Sequence, residues 1–145
     1  FGDIMSYVNN NYSVKKGAEN TAICGLSMGG FHTFSISLLR PGEFDYIGLY
    51  SAAIRMGGRS QDPIDVQLEK SPEASAQIKA VFDAKPKLYW IAIGKEDFLM
   101  QMNNDLRNYL DAHQYTYEYY ENDGGHIWRN WRIYLTMFAQ KIFKE

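Results

Sequence analysis

Residues Gly25-Leu26-Ser27-Met28-Gly29 fit the pattern G-x-S-x-G. A serine between such glycines can attack a carbonyl carbon, provided a strand runs into it and a helix leaves it. Both conditions can be read from the neighbours. Thr21–Gly25 is a short apolar run with a β-branched start, and Gly29–Leu39 repeats Phe31, Phe34 and Leu38 at helical spacing. Glycines at 25 and 29 would relieve backbone clashes in so tight a turn, and Gly30 would let the helix pack closely. The serine is then expected in a strained conformation at the carboxyl end of a sheet, over a helix N-terminus that favours developing negative charge. The plainer alternative is a Gly-rich turn in which Ser27 only caps the helix.

A nucleophilic serine needs a base, and the chain has three histidines. His32 lies on the helix leaving Ser27 and is expected on its surface or in packing. His113 ends a helix, where a cation suits the carbonyl end. His126 follows Asp123-Gly124-Gly125 in the loop between the last strand and the last helix, at the same edge of the sheet as Ser27. The base needs a carboxylate to fix its tautomer. Glu96 and Asp97, after the strongest strand, are both candidates. Asp97 is preferred because Phe98 and Leu99 give it apolar cover, although it also sits well to cap the following helix, and Lys95 and Glu96 read as solvated neighbours. Ser27, Asp97 and His126 thus occur in the chain order of the α/β-hydrolases, each just after a predicted strand.

Around this trio, the backbone N–H of Met28 is the expected oxyanion donor, and Leu26 and Trp128 are the expected substrate contacts. Trp128 could wall an aromatic-ester pocket or open the core face of the last helix; Trp131 reads as core. Arg55-Met56-Gly57-Gly58-Arg59 could reach the mouth of the site or form an ordinary exposed loop, and Cys24 reads as a small buried hydrophobe.

The elements that must position these groups alternate. Helices are expected at residues 3–12, 29–39, from Pro72 to about Asp83, around Met102–His113 and from Trp128 to Ile142. Strands are expected at Thr21–Gly25, Tyr46–Ser51, Leu88–Ile93 and Tyr115–Tyr120, with a Gly-rich polar loop over Ile54–Ser71. This order implies an α/β fold, a parallel sheet covered by helices on both faces. With four strands, the strand before Ser27 falls near an edge, and a further polypeptide segment or a second copy is expected beside it.

Composition narrows the rest. With 15 Lys+Arg against 17 Asp+Glu, the net charge of −2 speaks against nucleic acid. A single cysteine excludes an internal disulfide and a cysteine-based zinc site, no metal cluster or phosphate loop is visible, and no apolar stretch is long enough to span a membrane. Eleven tyrosines fit either wide contact surfaces or a Tyr-rich core.

Three segments carry a resemblance: Ala22-Ile-Cys-Gly-Leu-Ser-Met-Gly-Gly30, Gly94-Lys-Glu-Asp-Phe-Leu99 and Gly124-Gly-His-Ile-Trp-Arg-Asn-Trp-Arg132. From about the first helix onward the chain resembles the Putative esterase family of α/β-hydrolases, most of all its feruloyl and enterochelin-esterase-like branch. The resemblance implies Ser27 as nucleophile, Asp97 as acid and His126 as base, no cofactor, and an ester substrate such as a feruloyl or acetyl group on plant-cell-wall carbohydrate. It implies a secreted or periplasmic enzyme. The family domain is longer, so residues 1–145 read as its C-terminal half, and the second oxyanion donor is expected from elsewhere. Two other readings stand beside it: a siderophore-ester or thioester hydrolase or an acyltransferase on the same fold, and a non-catalytic half-domain that works by assembly with a partner.

Overall fold

The computed structural model describes residues 2–55 and 62–144. After helix α1 (Gly2–Asn11) come strand β1 (Ala22–Leu26), α2 (Met28–Leu39), β2 (Tyr46–Tyr50), α3 (Ile64–Lys70), α4 (Pro72–Asp83), β3 (Leu88–Gly94), α5 (Met100–Ala112), β4 (Glu118–Asn122) and α6 (Trp128–Ala139). Among the described residues the strands form one parallel sheet in the order β1-β2-β3-β4, with Ala22 opposite Tyr46, Tyr46 opposite Leu88 and Trp90 opposite Glu118. Each strand pairs with the next one in the chain, so right-handed crossovers put every crossover helix on one face. The other face is left to α6. This is the expected α/β architecture.

Side-chain alternation along the two central strands divides the core. Ile47, Leu49, Tyr89 and Ile91 pack beneath α2 to α5 with Phe34, Ile78, Leu106 and Leu110. Tyr46, Tyr50, Leu88 and Trp90 meet Tyr134 and Phe138 of α6. Both faces of β2 and β3 are buried throughout, which is why they read as unbroken apolar runs. On the α6 face the rings of Tyr50, Trp90 and Phe138 lie 5.5, 5.9 and 6.0 Å apart, in mixed edge and stacked arrangements. Much of the tyrosine content therefore serves the core. Burial raises the Tyr50 and Tyr89 phenols above the ordinary tyrosine range and keeps them neutral.

The edges behave differently. β1, an edge strand among the described residues, is only half buried, and Cys24 at its centre is exposed rather than buried. Helix α1 has no buried residue, and its Ile4 and Tyr7 face solvent. Among the described residues no helix is long and apolar enough to cross a membrane.

Several expected boundaries move: α5 begins at Met100, β4 runs on to Asn122 and α6 ends at Ala139, and two further differences have visible causes. The stretch expected as a loop over 54–71 contains α3, whose Ile64 and Leu68, four residues apart, are buried. Its first N–H is taken by Asp105, with Ile64 N 3.2 Å from Oδ2. The last strand begins at Glu118, not Tyr115. Gln114 turns the chain in the left-handed region (φ 58°), and the Tyr115 ring stacks on Phe82 at 4.5 Å, so the ladder starts only after that contact.

Candidate active site

Ser27 stands where β1 gives way to α2, with φ 52° and ψ −116°, a backbone that L-residues hold only under constraint. The constraint is visible. Its N–H donates to the Tyr50 carbonyl at 2.9 Å, and its own carbonyl accepts from Ala53 at 3.0 Å and Phe31 at 3.1 Å. A Cβ on Gly25 would collide with the Gly29 carbonyl, and one on Gly30 would lie 2.6 Å from the Ala52 Cβ. Gly29, expected to relieve a clash, has nothing within 4 Å of a Cβ built there. The close approaches therefore fall at 25 and 30.

Although Ser27 occupies the N-cap position of α2, its side chain makes no capping bond. Its hydroxyl lies instead 2.9 Å from His126 Nε2. On the other side of the ring, His126 Nδ1 is 2.9 Å from Asp97 Oδ2 and 3.1 Å from Oδ1. A carboxylate only accepts, so Nδ1 carries the proton and Nε2 is left to accept from the serine hydroxyl. Asp97 is 4% exposed, and its Oδ1 also accepts the Leu99 N–H at 2.9 Å. It thus shapes the turn into α5 as well as facing the histidine. The imidazole is flanked by Phe98 at 4.6 Å and by the edge of Trp131 at 4.8 Å. Trp131 in turn donates its indole N–H to the buried Ser51 hydroxyl at 3.2 Å.

Glu96 and Lys95, expected as solvated neighbours, tie the β3–α5 loop to the histidine loop. Glu96 accepts the Gly124 N–H, and Lys95 Nζ lies 2.9 Å from Asp123. That contact holds the Asp123 carboxyl below its ordinary range and Lys95 above its own. Gly94 permits the crossing, since a Cβ there would strike the Gly124 carbonyl.

Other expected residues lie apart. His32 packs beside Phe31, and His113, the C-cap of α5, donates from Nδ1 to the Tyr109 carbonyl, 2.9 Å away. Leu26, expected as a substrate contact, packs against the aromatic cluster under α6. Trp128 neither lines the cleft nor enters the core: it is 65% exposed and leans on Trp131 at 5.2 Å. The cleft beside Ser27, about 280 Å³, is lined by Met28, Phe31, Ala53, Arg55, Phe98 and Leu99. Phe31 and Phe98 are one helical turn and one loop residue away from the motif residues, so their types alone did not mark them as lining. Of the Arg55–Arg59 segment only Arg55 lies among the described residues. Among these residues no group of three or more His, Cys, Asp or Glu could hold a metal ion.

Ser27, His126 and Asp97 thus meet in one hydrogen-bonded row at the carboxyl ends of the strands of an α/β fold. The chain belongs to the Putative esterase family, whose profile matches residues 3–142. It is 28% identical over 155 residues to an acetyl esterase of Caldicellulosiruptor saccharolyticus, covering 92% of this chain and 58% of that protein. To an endo-1,4-beta-xylanase/feruloyl esterase of Xylanibacter ruminicola it is 29% identical over 143 residues, covering 98% of this chain and 17% of that one. A solved ferulic acid esterase of the anaerobic fungus Anaeromyces mucronatus superposes with a TM-score of 0.77 at 24% identity, over 99% of this chain and 51% of that one. The chain thus spans little more than half of the acetyl esterase and about half of the solved structure.

Proposed function

We propose that the chain carries the nucleophile, base and acid of a serine carboxylic ester hydrolase. The observation behind this is the 2.9 Å hydrogen bond from Ser27 Oγ to His126 Nε2, with Asp97 on the far ring nitrogen. Ser27 Oγ bonds to the ester carbonyl carbon as its proton passes to His126 Nε2. The carbonyl electron pair moves onto oxygen, where the Met28 N–H at the start of α2 meets it. Collapse of this intermediate expels the alcohol, which takes the proton from His126 and leaves an acyl group on Ser27. Water then gives its proton to His126 and attacks the acyl carbon, releasing the acid and restoring the serine. Asp97 holds the tautomer throughout. The scheme needs no cofactor.

The substrate in this reading is an acetyl or feruloyl ester on plant-cell-wall carbohydrate. Two things support it: the names of the relatives, and a cleft whose Met28, Phe31 and Phe98 suit a small or flat acyl group. A further polypeptide segment completes the sheet beside β1 and brings a second oxyanion N–H opposite Met28. The edge position of β1, the uncovered α1 and the greater length of the relatives support that part.

The test is fluorophosphonate labelling and turnover of acetyl, feruloyl and thioester substrates by the full-length protein. Labelling at Ser27 with feruloyl or acetyl turnover is the expected result. No labelling would leave a non-catalytic assembly domain, and turnover of thioesters alone would move the substrate class.

A further inference from the structure

We infer that Asn130 is the positioning residue that fixes the His126 loop, and through it the distance from the imidazole to Ser27. This rests on the roles proposed above for Ser27 and His126. Asn130 lies in the first turn of α6 and is fully buried. The helix has no side-chain cap, since Ile127 occupies the N-cap position. The amide of Asn130 turns back into the preceding loop instead. Its Nδ2 lies 3.3 Å from the Asp123 carbonyl and 3.2 Å from the Gly125 carbonyl, and its Oδ1 lies 3.0 Å from Asn122 Nδ2. The two carbonyls only accept, so the amide nitrogen must face them and Oδ1 must face Asn122. The Tyr134 hydroxyl donates to Asn122 Oδ1 at 2.6 Å and fixes that second amide in turn.

Both N–H groups of the buried amide are therefore spent on the loop, one of them on the residue just before His126. A buried amide is unfavourable unless it is hydrogen-bonded, so the members of this chain of bonds hold one another in place. The packing leaves room for it: a Cβ on Gly94 would lie 2.8 Å from Asn130 Nδ2, and one on Gly124 3.2 Å. The side-chain ties from Lys95 and Glu96 lie at the exposed surface, and the backbone adds Glu96 N to the Gly124 carbonyl at 3.3 Å. Asn130 holds it from the interior. Without that tie the imidazole can drift, and a misplacement of about 1 Å at a reacting group costs on the order of 10²-fold in rate.

The experiment compares Asn130→Leu, Asn130→Asp and Tyr134→Phe in the full-length protein, with rates normalised to titrated Ser27 sites. Leucine removes both donors; aspartate keeps the size and the acceptor but loses the donors. Each is expected to lower kcat by about 10- to 100-fold with KM little changed, and Tyr134→Phe to lower it several-fold. In NMR the His126 Nδ1 proton, held by Asp97, is expected to exchange faster in all three variants than in the wild type. Folded Asn130→Leu protein with wild-type kcat per site and an unaltered Nδ1 proton would overturn the inference. If Asn130→Leu does not fold, Tyr134→Phe decides by the same two readouts. A wild-type protein without esterase activity would sink the hydrolase reading alone, because the Nδ1 proton still reports whether Asn130 positions the ring.

Discussion

His126 sits in a loop tied from three sides, by Glu96, by Lys95 and by the buried Asn130, and its ring is wedged between Phe98 and Trp131. Ser27 follows a strand of another kind. β1 is an edge, Cys24 on it is exposed, and α1 before it buries nothing. The contrast shows that the two halves of the site depend on different things. His126 and Asp97 are held by contacts within this chain. Ser27 is held by the turn between β1 and α2, its N–H on Tyr50 at the end of β2 and its carbonyl on Ala53, while among the described residues β1 is an edge strand.

The largest effect should come where the halves meet. Ser27→Ala in the full-length protein should lower kcat on the order of 10⁶-fold with the melting temperature kept, because the hydroxyl does chemistry and little packing. Retention of most activity would end the covalent scheme. On the enclosed side, Asp97→Asn should cost about 10⁴-fold in kcat, since an amide can favour the wrong imidazole tautomer. Glu96→Gln should cost only a small fraction of that, as Glu96 ties the loop and does not face the ring. Equal losses would show that the two carboxylates share the role.

On the open side the elbow itself can be probed. Gly25→Ala should destabilise by about 1–3 kcal/mol, because its Cβ meets the Gly29 backbone and neither can yield easily. Gly29→Ala should stay within about 0.5 kcal/mol, with empty space around it. Denaturant midpoints of the pair measure the difference, and similar midpoints would mean that the elbow is looser than the geometry.

The smallest effect belongs to the Lys95–Asp123 tie, which is exposed to solvent. Asp123 is held below its ordinary range, chiefly by its hydrogen bond to Lys95. A depressed carboxyl contributes above the unfolded value and loses its contribution as pH falls through the folded one. Lys95 is raised by the same bond, so its share is present below the ordinary lysine value and fades as pH climbs through the raised one. The tie should therefore hold across neutral pH and open in acid. A carbon-13 titration of Asp123 should give a lower midpoint in the wild type than in Lys95→Met; identical midpoints would remove the tie.

Much of the fold could be read from local pattern. β2 and β3 were legible because burial on both faces leaves unbroken apolar runs, and α4 because Pro72 suits a first helical turn. Whether a strand is central or at an edge is not a local property, and so Cys24 looked buried among apolar neighbours. α3 was hidden by its length of seven residues and its polar sequence, although Ile64 and Leu68 at i and i+4 were a usable signal. In the site, the glycines and the chain order of Ser27, Asp97 and His126 pointed to one sheet edge. Asp97 is favoured over Glu96 by the apolar cover of Phe98 and Leu99, while the Leu99 N–H bond that turns its carboxylate inward is not encoded in residue types. Leu26 is placed by strand alternation: its side chain packs against the aromatic core.

Because each strand pairs with the next in the chain, the sheet can be laid down in order of synthesis, with loop closures of modest length. Helix α6 is the exception, returning across the sheet to Tyr50 and Trp90, and His126 lies directly before it. A nascent chain therefore forms the Ser27 turn early and places His126 only when α6 docks. In the proposed scheme Ser27 lacks its proton acceptor until α6 docks, and the growing polypeptide should be inert toward esters. In ribosome-arrested chains, reactivity with a fluorophosphonate should appear only once α6 has cleared the exit tunnel; labelling of shorter chains would contradict that order.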